Sequence, residues 1–153
     1  MELTAREDID APQDRVFALL SDFDTIERQA MRRGTEIIRT QDGPGAGMAW
    51  RATFQFRGKK RVAAVTLSTY DPPDRMVFDS VSGGLEMALT LDVVALSPTR
   101  TRIYVTSVLG AKTLSARLFL QSIKLARGGI DKRFRRRVGE LAGDMENRLR
   151  GMA

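Results

Sequence analysis

Six side chains on strand-like stretches, Tyr70, Tyr104, Asp79, Ser80, Glu86 and Arg51, have the chemistry to move a proton or orient a substrate. The chain of 153 residues contains neither Cys nor His. That removes thiol nucleophiles, imidazole bases, disulfides and the usual thiolate or imidazole metal sites. Catalytic triads, Cys-His pairs and zinc hydrolysis are thereby excluded. What is left is a tyrosine or buried carboxylate acting as acid or base, as an aldol cyclisation or dehydration would require, and a hard-cation site made of carboxylates. Alternation along the strands separates the six. Arg51 and Glu86 fall on the polar phase, opposite the apolar side chains, and are expected to face solvent. Tyr70 and Ser80 reach an interior only if their strands share the register of Phe78.

Two other stretches have ligand-like features. Gly43-Pro44-Gly45-Ala46-Gly47 has the glycine density of a phosphate loop. A strand pattern follows it instead of a helix, so no helix N-terminus faces a phosphate, and a hairpin turn is the better reading. The second feature is charge. Residues 1–111 carry 14 Lys/Arg against 15 Asp/Glu, whereas residues 112–153 carry 11 against 4, so the net charge of +6 belongs to the C-terminal segment. Its densest part holds Lys132, Arg133, Arg135, Arg136 and Arg137, and Arg57-Gly58-Lys59-Lys60-Arg61 reads as a basic hairpin tip. This basic surface has three readings: a solvated helix face, a surface drawn to anionic membrane, or a nucleic-acid site. Leu114, Leu118, Leu120 and Leu125 lie off the apolar stripe of their helix, which suits a membrane or partner surface. Nucleic acid is disfavoured, because the single aromatic of the dense basic run 131–137, Phe134, belongs to that stripe and no stacking platform is left.

The elements that must position these groups follow from periodicity. Residues 2–10 alternate weakly as a first strand. Pro12 suits the first position of a helix of about 10 residues with Val16, Phe17, Leu19 and Leu20 as its apolar stripe. Thr25, Ile26, Ala30 and Met31 mark a second short helix that ends before Gly34. The period then changes to two, predicting strands at 35–40, 48–57, 61–70, 75–82, 85–93 and 102–109, joined by short turns such as Asp71-Pro72-Pro73-Asp74 and Gly83-Gly84. Six successive strands with short turns imply an antiparallel meander with one buried face. From Gly110 the helical period returns. Phe119, Ile123, Ala126, Ile130, Phe134, Val138, Leu141, Met145 and Leu149 step by three or four, predicting one long helix across the sheet with a bend at Gly128-Gly129.

This order resembles the START-like, or SRPBCC helix-grip, superfamily of polyketide cyclase, dehydrase and lipid-transport proteins. The likeness covers the whole chain. Ile9-Asp10-Ala11-Pro12, followed by Val16-Phe17-Ala18-Leu19-Leu20-Ser21-Asp22-Phe23, looks like the opening strand and Ala-Pro helix of that superfamily, and Tyr70 to Phe78 looks like its mid-sheet turn. The resemblance implies an α+β helix-grip fold with a cavity between sheet and C-terminal helix that takes up an apolar ligand. No catalytic residues carry over from it.

A curved sheet gripped by one helix leaves space that side chains fill or a ligand occupies. Trp50, Phe54, Phe56, Met76, Phe78, Met87, Leu89, Phe119 and Ile123 are the candidate walls, and an ordinary packed core is the competing reading for each. At 42% hydrophobic and 29% charged residues the composition is that of a globular protein, and one domain over 1–153 is expected. No stretch longer than nine residues lacks Asp, Glu, Lys and Arg, which is too short for a spanning helix. The acidic N-terminal MELTAREDID does not read as an export signal, so a cytoplasmic location is expected. The leading expectation is a carrier of a small hydrophobic or amphipathic ligand (a lipid, isoprenoid or polyketide-like molecule) that needs no cofactor and no metal. The alternatives are a cofactor-independent cyclase or dehydratase and an interaction module working through the basic helix.

Overall fold

The computed structural model describes residues 1–151. Its elements are β1 (Glu2–Ile9), α1 (Gln13–Leu20), α2 (Phe23–Arg32), β2 (Glu36–Gln41), β3 (Ala49–Phe56), β4 (Lys59–Asp71), β5 (Arg75–Ser82), β6 (Leu85–Ser97), β7 (Arg100–Ala111), α3 (Leu114–Leu125) and α4 (Arg127–Gly151). Strands β2 to β7 form an uninterrupted antiparallel meander. The first strand pairs antiparallel with the last, from Glu2 opposite Val108 to Ile9 opposite Thr101, so the sheet order is β1-β7-β6-β5-β4-β3-β2. This is the expected α+β helix-grip arrangement.

Local chemistry sets the boundaries. Pro12 is the cap residue of α1, one position earlier than expected, with φ −62° and ψ 149°; its fixed φ suits that junction. Asp22 caps α2, its carboxylate accepting from the Thr25 amide (3.4 Å) and hydroxyl (2.7 Å). Arg57 and Gly58 take φ values of 53° and 71°, the left-handed pair of a two-residue hairpin turn. Phe56 therefore pairs directly with Lys59, which starts β4 two residues earlier than alternation indicated.

The C-terminal region departs from expectation. In place of one continuous helix there are two, broken at Ala126 (φ −100°, ψ 19°), and Gly128-Gly129 lies in the first turn of α4 beyond the break. The interruption changes which side chains face inward. Leu120 and Ala142 are buried, whereas Ala126 and Leu141 are exposed. Packing explains the break: α3 lies against β7 and β6, while α4 runs along β1 and touches α1, and one straight cylinder cannot follow both.

The packed core occupies one end of the sheet. Ile9, Val16, Phe17, Leu20, Met48, Trp50, Leu67, Met76, Val93 and Ile103 meet Val138, Ala142, Met145 and Leu149 from the second half of α4. The buried Thr101 hydroxyl donates to Ala11 O (2.7 Å) and ties the end of β1 to β7. At the other end, the β5–β6 turn supports α3. Gly84 has φ +83°, a Cβ placed there would lie 2.5 Å from Thr113 Oγ1, and that hydroxyl caps α3 by accepting from the Ala116 amide (3.1 Å). Gly84→Ala combines left-handed strain of roughly 1–2 kcal/mol with damage to a cap of about 1 kcal/mol. A loss of about 2 kcal/mol in urea unfolding is expected, and unchanged stability would contradict this coupling.

Candidate functional site

Inward-facing positions on the strands pass from core to open space along each strand. On β3 they run Trp50, Ala52, Phe54, Phe56; on β4, Leu67, Val65, Ala63, Arg61; on β5, Met76, Phe78, Ser80, Ser82; on β6, Leu91, Leu89, Met87, Leu85. Antiparallel register aligns the changeover. Ala52 lies opposite Ala63, Val65 opposite Ser80, Ser80 opposite Met87 and Met87 opposite Leu109. Beyond that line α1, α2 and the second half of α4 no longer cover the sheet, and a cavity of about 550 Å³ opens. Small residues form much of its floor. Its other wall is made by Phe119 and Ile123 of α3 and by Ile130, Arg133, Phe134 and Arg137 of the first half of α4.

Of the nine wall candidates, Phe54, Phe56, Met87, Phe119 and Ile123 line the cavity. Trp50, Met76, Phe78 and Leu89 do not: the first two are buried in the core and the other two pack against it. Phe23 from α2 covers that end, with its ring 5.3 Å from Trp50 and 6.3 Å from Phe78. Periodicity identified the face of each strand but not the height along it at which packing stops. It did not assign the small inward residues Ala52, Ala63 and Ser82 to the cavity; Ser80 it named as a polar candidate dependent on register, and Arg61, Arg133 and Arg137 only as basic residues. Four small side chains in the inward phase of adjacent strands are the signal that could have located the space.

The polar candidates are dispersed. Tyr70 packs against Phe17 (5.7 Å between centroids) in the core. Asp79, Arg51 and Tyr104 are exposed and do not line the cavity. Glu86, expected in solvent, lies instead at the cavity rim near the end of its strand, paired with Lys112 (3.0 Å). Ser80 shares the inward phase of Phe78, and Ser82 donates its hydroxyl to Val62 O (2.7 Å). The Gly43 to Gly47 segment is a loop between β2 and β3, with Gly45 against the Tyr70 ring.

Arginines edge the rim. Arg61 stacks its guanidinium 4.4 Å from the Phe119 ring centroid, and Arg57 Nη1 donates to Ser122 Oγ (2.8 Å). With Phe56 and Phe119 edge to face at 6.1 Å, these contacts clip the β3–β4 tip to α3 through cation–π attraction. The basic segment is divided. Arg133 and Arg137 turn to the cavity, Arg136 pairs with Glu140 (4.0 Å), Arg135 lies beside Thr4 and Tyr104, and Lys132 is exposed. The carboxylates that the structure acidifies are elsewhere: hydrogen bonding from Arg102 holds Asp8 below its ordinary range, and the Gly43 amide followed by Arg39 does so for Asp42. Among the described residues no three acidic side chains converge as a metal-holding group, and no helix is long and apolar enough to cross a membrane.

A family profile described as "Polyketide cyclase / dehydrase and lipid transport" matches residues 1–146. No curated protein matches the sequence. Among solved structures, the Zhui aromatase/cyclase from Streptomyces sp. R1128 is similar with a TM-score of 0.70 at 15% identity, covering 97% of this chain and 95% of its own. The TTHA0849 protein from Thermus thermophilus gives 0.67 at 20% identity, with 100% and 99% covered. A START superfamily protein from Mycobacterium smegmatis gives 0.55 at 13% identity, with 86% and 95% covered.

Proposed function

The chain belongs to the polyketide cyclase/dehydrase and lipid transport family, and from that premise we propose that it holds a small hydrophobic or amphipathic ligand between sheet and C-terminal helices. The observation that carries this reading is the cavity itself: about 550 Å³, within the usual range for small-molecule sites, with an apolar floor and its charges confined to the rim. Burial of an apolar body against Ala52, Phe54, Ala63, Met87 and Phe134 supplies affinity at roughly 25 cal/mol per Å² before ordering costs. Arg61, Arg133 and Arg137 meet the polar end, and Ser80 adds a hydroxyl on the floor. Lipids, isoprenoids and polyketide-like molecules all fit that description.

A cyclase-type enzyme is the second reading, supported by the fold shared with an aromatase/cyclase. An enzyme of this kind requires converging acid and base groups. Among the described residues the one carboxylate lining the cavity, Glu86, is engaged by Lys112, which favours the carrier. Native mass spectrometry of the protein from its own host, followed by organic extraction, tests the proposal. A stoichiometric apolar adduct is expected. A bare protein that also fails to take up long-chain fatty acids, isoprenoid alcohols or aromatic polyketides would overturn it.

A further inference from the structure

We infer that the outer face of α3 is a docking surface for an anionic lipid bilayer. This helix turns Ala116, Leu120 and Ile123 into the protein. At about 100° per residue, Leu114, Leu118 and Leu125 fall within roughly 40° of one another on the opposite side. They are 73%, 60% and 92% exposed. Three leucines aligned outward on a single helix mark a surface that is covered in use.

Charge selects what covers it. Arg117 and Lys124 lie together along one edge of the leucine stripe, Lys112 precedes the helix, Arg127 follows it, and no Asp or Glu occurs from 112 through 130. Glu86 reaches Lys112 from the β5–β6 hairpin (3.0 Å) and Asp131 reaches Arg127 from the next turn of α4 (3.7 Å), which leaves Arg117 and Lys124 without a carboxylate within salt-bridge distance among the described residues. A second copy seated through the same face would bring like charges together. A nucleic acid would match the cations and leave the leucines unburied. An anionic bilayer satisfies both: leucines enter below the headgroups while arginine and lysine remain among the phosphates. The opposite face of α3 contributes Phe119 and Ile123 to the cavity, so docking would set that wall at the lipid surface. Docking through this face does not depend on what the cavity holds.

Flotation of the full chain tests it, with vesicles of phosphatidylcholine alone and of phosphatidylcholine and phosphatidylglycerol in equal parts, at low salt. Binding to the mixed vesicles and not to the neutral ones is expected, with release as salt is raised. Leu118→Ser with Leu125→Ser should lower the bound fraction roughly tenfold or more. Arg117→Gln with Lys124→Gln should weaken it by a similar factor. All four side chains point outward, so both variants should keep the melting temperature of the parent, which separates loss of docking from loss of fold. Absence of binding to the mixed vesicles, or full binding by the leucine variant, overturns the inference. So does a dimer in sedimentation that the leucine variant dissolves while vesicles bind neither form, since the face would then belong to a second copy.

Discussion

Leu67→Ala is expected to destabilise the fold by about 2–5 kcal/mol, the range for emptying a packed aliphatic site. Leu67 is completely buried, and its backbone is held by two hydrogen bonds to the segment that leads into β3: its amide donates to Met48 O (2.8 Å) and its carbonyl accepts from Gly47 N (2.9 Å). The surrounding strands therefore cannot collapse into the space left behind. For a chain of this size each kcal/mol shifts the melting temperature by roughly 2–4 °C, so a fall on the order of 10 °C should appear in a thermal scan. Phe54→Ala is the informative comparison. It removes a larger side chain, yet Phe54 already has open space on one side, and atoms without neighbours forfeit little dispersion energy when deleted. The cost at Phe54 should be well below that at Leu67. Equal losses would mean that the cavity is collapsed in solution.

Ala52→Trp should weaken ligand uptake strongly while leaving stability unchanged or improved. Inserting bulk into a dense interior ordinarily costs about 1–3 kcal/mol through displaced neighbours. Ala52 faces the cavity floor opposite Ala63, where an indole can enter existing space and bury its own apolar surface. Affinity for any apolar probe should fall by roughly tenfold or more, equivalent to at least ~1.4 kcal/mol. Ala142→Trp provides the contrast, because Ala142 is buried within the core cluster and offers no room. It should unfold far more readily without any specific effect on binding. A stable Ala52→Trp protein that binds as well as the parent would move the ligand site away from this floor.

The degree to which the sequence foretold this arrangement differs between elements for physical reasons. A period of two survives tertiary context well, because a strand has only two faces, so the strand bearing Trp50, Phe54 and Phe56 was legible. The same alternation has no component along the strand axis, which is why Trp50 and Phe54 read alike although one is packed beneath α2 and the other borders open space. The helical pattern misled at Ala126 for a related reason. Phe119, Ile123, Ile130 and Phe134 keep a plausible spacing across the break, since both helices turn these residues to the same cavity. Gly128-Gly129 then drew attention as the weak point. An exposed first turn tolerates glycine, however, and the actual break was set by where β7 and β1 lie. Glu86 was misplaced by alternation because the end of β6 stands at the rim, where the two faces of the sheet cease to be distinct environments.

The division of α4, with its second half closing the core and its first half standing over empty space, has an evolutionary reading. Substitutions among Ala52, Ala63, Ser80 and Met87 alter the shape of the cavity while the side chains that hold the fold together, such as Leu67, Met76 and Met145, are left alone. Most proteins sit near a stability threshold, so change in a binding site is commonly limited by what the fold can tolerate. A scaffold that keeps its stabilising contacts and its variable contacts at opposite ends of one sheet relaxes that limit. New ligand shapes can be explored by single substitutions at the open end, each nearly neutral for folding.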